Sequence, residues 1–176
     1  MLETGEKADL VLVAGDDIEQ KAHSLVLSSA SPVFDAMLST KMQEGLKGRV
    51  EMSDFDGATL ERLLHCVYGG ALCVEDQPDA SALAELMRAA HMYGLQWLVK
   101  EISACLLALL KPENALQLAG LGAKLNADLL LHAALQYVNA NSADGRSIVL
   151  SDEWASTFGC HAEFAALLFA ELNDDF

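Results

Sequence analysis

Residues 22–38 read Ala22-His-Ser-Leu-Val-Leu-Ser-Ser-Ala-Ser-Pro-Val-Phe-Asp-Ala-Met-Leu38. The pattern predicts two short helices that are separated at Ser31-Pro32. Serine is a favoured helix N-cap, and proline suits the first helical position because its missing amide hydrogen would have no partner there. The residue before a proline is also kept out of the α region, so Ser31 ends one helix and begins the next. We therefore predict a first helix over 23–30 and a second over 33–38.

Short apolar segments on either side of these helices predict a small β-sheet. Residues 9–14 and 18–23 are too short for helices, and the Gly15-Asp16-Asp17 sequence between them favours a hairpin. A polar surface loop is predicted over 39–48, and a third short strand over 49–52.

The rest of the chain is predicted to be mostly helical. Apolar residues repeat at helical spacing over 57–70, and after a weak candidate strand at 72–74 the repeat continues through two helices that join sharply at Tyr93-Gly94. Asn126 is predicted to cap a later helix, and residues 161–172 to form the last one.

These elements predict the α+β class, mostly helical, with a three-stranded sheet covered by helices. Pro112 marks the clearest internal boundary, because proline ends a preceding helix and suits the first turn of the next one. We expect one domain over 8–110 and an all-helical extension over 111–176.

Composition and charge exclude several classes of function. The chain has 26 acidic and 11 basic residues, and its formal charge of −15 should repel nucleic-acid phosphates and anionic lipid. We therefore expect no nucleic-acid partner and no membrane association. The N-terminus lacks the basic and then apolar order of a secretory signal, so we expect the cytoplasm or the nucleus. The four cysteines show no CxxC pairing, which favours structural thiols in a reducing compartment.

No set of residues predicts catalysis. Asp9 and His23 could act as an acid and a base, but no nucleophile or glycine-rich loop accompanies them. A structural hydrogen bond between the first strand and the first helix is the favoured interpretation. His65-Cys66, Cys73 and His91 match no familiar zinc spacing. We expect a protein without enzymatic activity, metal or cofactor.

The predicted order of elements resembles the BTB/POZ domain, from residue 8 to about residue 105. Five segments carry the resemblance at the expected spacings: Ala8-Asp-Leu-Val-Leu12, Ala22-His-Ser-Leu-Val-Leu27, Ser31-Pro-Val-Phe34, Arg49-Val-Glu-Met-Ser-Asp54 and Val67-Tyr-Gly69.

The remainder resembles the helical BACK region that follows the BTB domain in cullin adaptors. Residues 112–126 and 135–139 resemble its first helix pair, and Trp154 sits where speckle-type MATH-BTB adaptors carry a similar tryptophan. The chain is thus similar to the C-terminal half of such an adaptor.

The resemblance implies a dimeric scaffold that docks the N-terminal domain of cullin-3 and so recruits a ubiquitin ligase to a protein substrate. The family's contact signature is a hydrophobic residue, any residue and then Glu, which matches Met42-Gln43-Glu44 here. Leu38 and Tyr93 complete the expected contact set. An exposed Met can fill a partner's pocket flexibly, and a Tyr ring offers an apolar body with a polar tip.

Alternatives remain for each of these expectations. A loop Met such as Met42 can pack on its own domain, and Tyr93 can be a half-buried packing residue. The domain could also serve self-association or protein interaction without a ligase, as BTB domains in transcription regulators do. Only seven residues precede Ala8, where the family usually has a helix that builds the dimer, so a homodimer is left open. No MATH or kelch segment is recognised, so the substrate would be held by an absent or unrecognised domain or by the helical extension itself.

Overall fold

A computed structural model describes residues 7–39, 48–72, 79–141 and 152–159, together with residue 166. These residues contain three strands and eight helices. The predicted α+β, mostly helical class is therefore confirmed. The chain divides into two compact units, residues 1–102 and 103–176.

The first unit contains a three-stranded sheet with the order β2-β1-β3. Strand β1 spans Leu10–Ala14, β2 spans Glu19–Ala22 and β3 spans Arg49–Met52. Strand β1 pairs with β2 antiparallel as a hairpin and with β3 in parallel. All three predicted strands are present.

The two faces of this sheet differ along the edge strands β2 and β3, whereas β1 is largely buried on both faces, Val13 included. Leu10, Leu12 and Ala14 alternate on the inner face and are buried. On the outer face, Arg49 of β3 reaches over β1 to Glu19 of β2, with 2.7 Å between the guanidinium and carboxylate atoms. The pair is exposed, so we expect it to add little to stability.

Five helices follow or cover the sheet. Helix α1 spans Ser24–Ala30, α2 Pro32–Met37, α3 Gly57–Gly69, α4 Ala80–Met92 and α5 Gln96–Ala108, so that α5 runs across the division between the units.

Most of the predicted helix ends of this unit are confirmed by their capping contacts. Asp56 caps α3 by accepting a hydrogen bond from the Thr59 amide at 2.8 Å. Gly70 ends α3 in the left-handed region, with φ of 67°. The largest fully buried side chains of the unit come from its strands and helices: Leu12, Leu27, Phe34, Met52, Leu60, Leu63, Leu64, Leu83, Leu86 and Met87.

The second unit is helical in its described part. Helix α6 spans Ala115–Lys124, α7 spans Asp128–Asn141 and α8 spans Asp152–Phe158. Trp154 and Phe158 of α8 are buried, and their ring centroids lie 4.4 Å apart. The described residues include no helix that is both long and apolar enough to cross a membrane.

One predicted cap is wrong. Asn126 does not begin α7; its φ of 51° places it in the left-handed region just after α6. The following amide, of Ala127, donates to the Gly122 carbonyl at 2.8 Å. Asn126 therefore ends α6, because asparagine tolerates the left-handed conformation better than other residues with a side chain.

Several predicted elements cannot be compared with the structure. Leu72 lies outside any strand, while the rest of the candidate strand at 72–74 is outside the described residues. The same holds for most of the loop over 39–48 and nearly all of the last predicted helix. The domain boundary at 110/111 stays a prediction.

Candidate functional site

The start of helix α2 is held by a buried serine. Ser31 is 1% exposed, and its hydroxyl oxygen accepts hydrogen bonds from the amides of Val33 at 3.1 Å and Phe34 at 3.0 Å. The same hydroxyl donates to the backbone carbonyl of Tyr93 at 2.5 Å. One donor and two acceptor sites are thus all used. Ser31 is the predicted N-cap, and it also binds α2 to the joint between α4 and α5.

Tyr93 reinforces this attachment with its ring. The ring stacks on Phe34 with a centroid distance of 4.5 Å and an angle of 5° between the planes, and it meets Phe55 at a tilt. Burial, together with the nearby Asp54 carboxylate, raises the pKa of Tyr93 to about 12. The phenol is therefore neutral at physiological pH.

The structure buries Tyr93, which the resemblance implied to be a partner contact and which was also interpreted as a half-buried packing residue. Only 5% of its surface is exposed, so its role as a packing residue is established. Contact with a partner through the small remaining surface stays a prediction.

Gly94 completes the attachment on the other side of Tyr93. Its φ of 68° is a conformation that residues with a Cβ seldom adopt. A Cβ at this position would also lie 3.3 Å from Cγ2 of Val33, in the first turn of α2. The joint can pack this closely on α2 because residue 94 is a glycine.

Leu38 lies at the opposite end of α2 from these contacts. Its amide donates to the Phe34 carbonyl at 2.9 Å, and its side chain is half-buried. Tyr93 therefore packs at the beginning of α2, and Leu38 lies at its end. Met42 and Glu44 lie outside the described residues.

The Asp9 and His23 pair is structural rather than catalytic in arrangement. The Asp9 carboxylate accepts hydrogen bonds from the Ser24 amide at 2.8 Å and the Ser24 hydroxyl at 2.5 Å. These two bonds hold the pKa of Asp9 below its ordinary value. His23 instead shares a hydrogen bond of 2.8 Å between its Nδ1 and the Tyr68 hydroxyl. The predicted link between strand and helix exists, with Ser24 in place of His23.

Within the described ranges, no three His, Cys, Asp or Glu side chains are grouped so that they could hold a metal ion. Burial raises the pKa of the Tyr68 hydroxyl that meets His23. The polar contacts described here thus hold the starts of α1 and α2 in place.

Sequence patterns alone missed the second role of Ser31. Ser31-Pro32 and Tyr93-Gly94 each mark a local helix boundary, and nothing in either dipeptide indicates that the two meet across 62 residues of sequence. Leu25 was also missed as a surface feature: it is 80% exposed on α1. The signal was present, because Leu27 occupies the buried face and Leu25 lies about 200° around the helix from it.

Comparisons with known proteins agree with this architecture. A family model described as the BTB/POZ domain matches residues 1–109. A BTB/POZ domain-containing protein of Arabidopsis thaliana is 31% identical over 137 residues, which are 76% of this chain and 55% of that protein. Kelch-like protein 2 of Homo sapiens and of Rattus norvegicus are each 31% identical over 144 residues, which are 82% of this chain and 23% of each relative.

The chain therefore spans about half the length of the first relative and under a quarter of the other two. The BTB/POZ domain is a protein-interaction domain, and the helices after residue 109 form a helical extension to it. Because the family model covers more than half of the chain and the fold agrees with it, the chain belongs to the BTB/POZ domain family.

Proposed function

We propose that this chain is a non-enzymatic adaptor whose BTB domain docks the N-terminal domain of cullin-3 and so brings a ubiquitin ligase to a protein substrate. The carrying observation is the anchored helix α2, which ends at Leu38 only four residues before the signature at Met42 and Glu44. Likeness to the Kelch-like relatives supports the proposal, and the signature itself is what the resemblance to cullin adaptors implies.

The properties of α2 suit a docking platform. The helix has six residues, too few to be stable in isolation, so its contacts with the rest of the unit determine its position. Its contacts with the α4–α5 joint lie at its first turn, and its last turn carries exposed side chains. Asp35 and Ala36 are exposed there, and Leu38 is half-buried. A partially exposed apolar side chain beside polar ones is typical of an interface.

The remaining features of the proposed adaptor come from the resemblance and, for its location and its lack of nucleic-acid and membrane partners, from the N-terminal sequence and the acidic charge. The second unit would be the BACK-like extension, and the substrate would be bound by that unit or by another domain. The protein would work in the cytoplasm or the nucleus, without a cofactor and without nucleic-acid or membrane partners.

Calorimetric titration with the cullin-3 N-terminal domain tests the proposal. We expect binding at micromolar concentration or tighter, and a loss of about tenfold or more for the double variant Met42→Ala with Glu44→Ala. The matched control is Leu129→Ala with Glu113→Ala, which removes an exposed apolar and an exposed acidic residue of the second unit. No binding by the wild type would refute cullin docking, and equal affinities of both double variants would refute the contact assignment.

A second function, self-association without a ligase, is favoured by Leu25. A leucine that is 80% exposed on a short helix is costly in water and gains free energy from a protein partner. Light scattering of the wild type, of Leu25→Glu and of the control Leu129→Glu tests this function. A dimer that only Leu25→Glu dissociates, combined with no cullin binding, would favour this function over the first.

A further inference from the structure

We infer that Ser31 and Tyr93 are positioning residues for partner docking: they fix helix α2 to the α4–α5 joint and thereby set the position of Leu38, a predicted contact residue at the end of α2. The inference rests on the proposed docking function. It adds which contacts hold the end of α2 near Leu38 in position. Two buried residues, which act by holding α2 in place, would control the affinity.

The Ser31 hydroxyl serves two purposes at once. An ordinary N-cap only accepts hydrogen bonds from its own helix. The Ser31 hydroxyl accepts two of these and also donates to the Tyr93 carbonyl at 2.5 Å, at a site that is 1% exposed. Asp56 and Asp79 cap α3 and α4 with carboxylates, which have no proton to donate at neutral pH. Among these three caps, that of α2 alone also binds a distant backbone group.

The ring of Tyr93 stacks on Phe34 of α2. Phe34 lies in the first half of α2 and is 1% exposed, and its ring is nearly parallel to that of Tyr93. The amide of Leu38 then bonds to the carbonyl of this same Phe34 at 2.9 Å. A displacement of Tyr93 would therefore also displace Leu38, because Phe34 contacts both residues.

The short length of α2 makes it depend on these anchors. A helix of six residues has little cooperative stability of its own, so loss of one anchor frees the whole element and not only its first turn. Misplacement of a contact group by about 1 Å is enough to weaken a specific contact strongly. The position of α2 is therefore a determinant of affinity.

Two pairs of variants test the inference in the full chain. Ser31→Ala removes the cap and the link to Tyr93, while Asp79→Ala removes only a cap of comparable strength. Tyr93→Leu removes the stacked ring, while Tyr93→Phe keeps the ring and the carbonyl and removes only the phenolic oxygen. The measurements are hydrogen exchange of the α2 amides, affinity for the cullin-3 N-terminal domain, and the thermal midpoint.

We expect the amides of Asp35 and Leu38 to exchange about tenfold faster in Ser31→Ala than in Asp79→Ala at similar thermal midpoints. The affinity for the cullin-3 domain should be about fivefold or more lower for Ser31→Ala than for Asp79→Ala, and for Tyr93→Leu than for Tyr93→Phe. Tyr93→Phe should bind like the wild type, whereas loss of binding by Tyr93→Phe would mean that the hydroxyl itself contacts the partner and would overturn the positioning role.

Hydrogen exchange also separates this inference from the proposed function. If the α2 amides exchange faster in Ser31→Ala than in Asp79→Ala but the wild type does not bind cullin-3, the proposed function is refuted. The attachment of α2 by Ser31 is then still established. Equal exchange in Ser31→Ala and Asp79→Ala would overturn the anchor, whatever the binding result.

Discussion

Substitution of Gly122 by alanine should destabilise the second unit, although alanine is the better helix former. Gly122 lies inside α6, where replacing glycine by alanine gains about 1 kcal/mol of helix propensity. A Cβ there would lie 2.7 Å from the Leu131 amide nitrogen and 3.0 Å from its Cα. These are backbone atoms of α7, so no side-chain rotation can relieve the overlap and the two helices must separate.

The size of the effect depends on these opposing contributions. Forcing an extra carbon into a packed interface costs about 1–3 kcal/mol, and a rigid backbone obstacle places the cost at the upper end. After the propensity gain, we expect a net loss of about 1–2 kcal/mol in the free energy of unfolding.

Urea unfolding followed by Trp154 fluorescence measures this loss. The chain has two tryptophans, so the Trp97→Phe background leaves Trp154 as the reporter of the second unit. Gln117→Gly and Gln117→Ala, at an exposed position of the same helix, calibrate the propensity difference without any close contact. A Gly122→Ala chain that is as stable as its background, or more stable, would show that α6 and α7 are not held at this distance.

Three further predictions concern the first unit. Asp9→Ala should lower the free energy of unfolding by about 0.5–1 kcal/mol at pH 7. The pKa of Asp9 is lower in the folded than in the unfolded protein, so this loss should begin to shrink below a pH of about 4 and should vanish once the pH is below the folded pKa. Urea titrations at several pH values would show this. Gly94→Ala should cost about 1–2 kcal/mol by calorimetry, because φ is 68° there, and no change would contradict that conformation. Asp56→Ala should cost about 1 kcal/mol through loss of the α3 cap, with Glu61→Ala, an exposed acidic position of the same helix, as the control that should change little.

Local chemistry was sufficient to predict the elements of the fold. Ser31 and Pro32 have their preferred places at a helix start, and Gly70, which has no Cβ, suits a left-handed helix end without strain. Such preferences act within a few residues, so they can be recognised in the sequence. The failure at Asn126 has the same origin, because asparagine is favoured both before a helix and after one.

The arrangement of the site could not be predicted in the same way. The stacking of Tyr93 on Phe34 and its hydrogen bond to Ser31 join residues far apart in sequence, and a Tyr beside a Gly is compatible with a buried or an exposed ring. Tertiary packing decides between these, and it leaves no local pattern. The resemblance supplied the signature at Met42 and Glu44, while the structure supplied the buried contacts that hold α2 before it.

The burial of Ser31 also affects how the chain can be modified. Ser31 is the only serine or threonine followed by proline, the dipeptide that proline-directed kinases recognise. In the folded protein its hydroxyl is 1% exposed and already makes three hydrogen bonds. A phosphoryl group would add a charge of about −1.5 to −2 and three oxygens where there is no room or solvent for them. Phosphate on this residue would therefore mark chains in which helix α2 was open when the kinase acted.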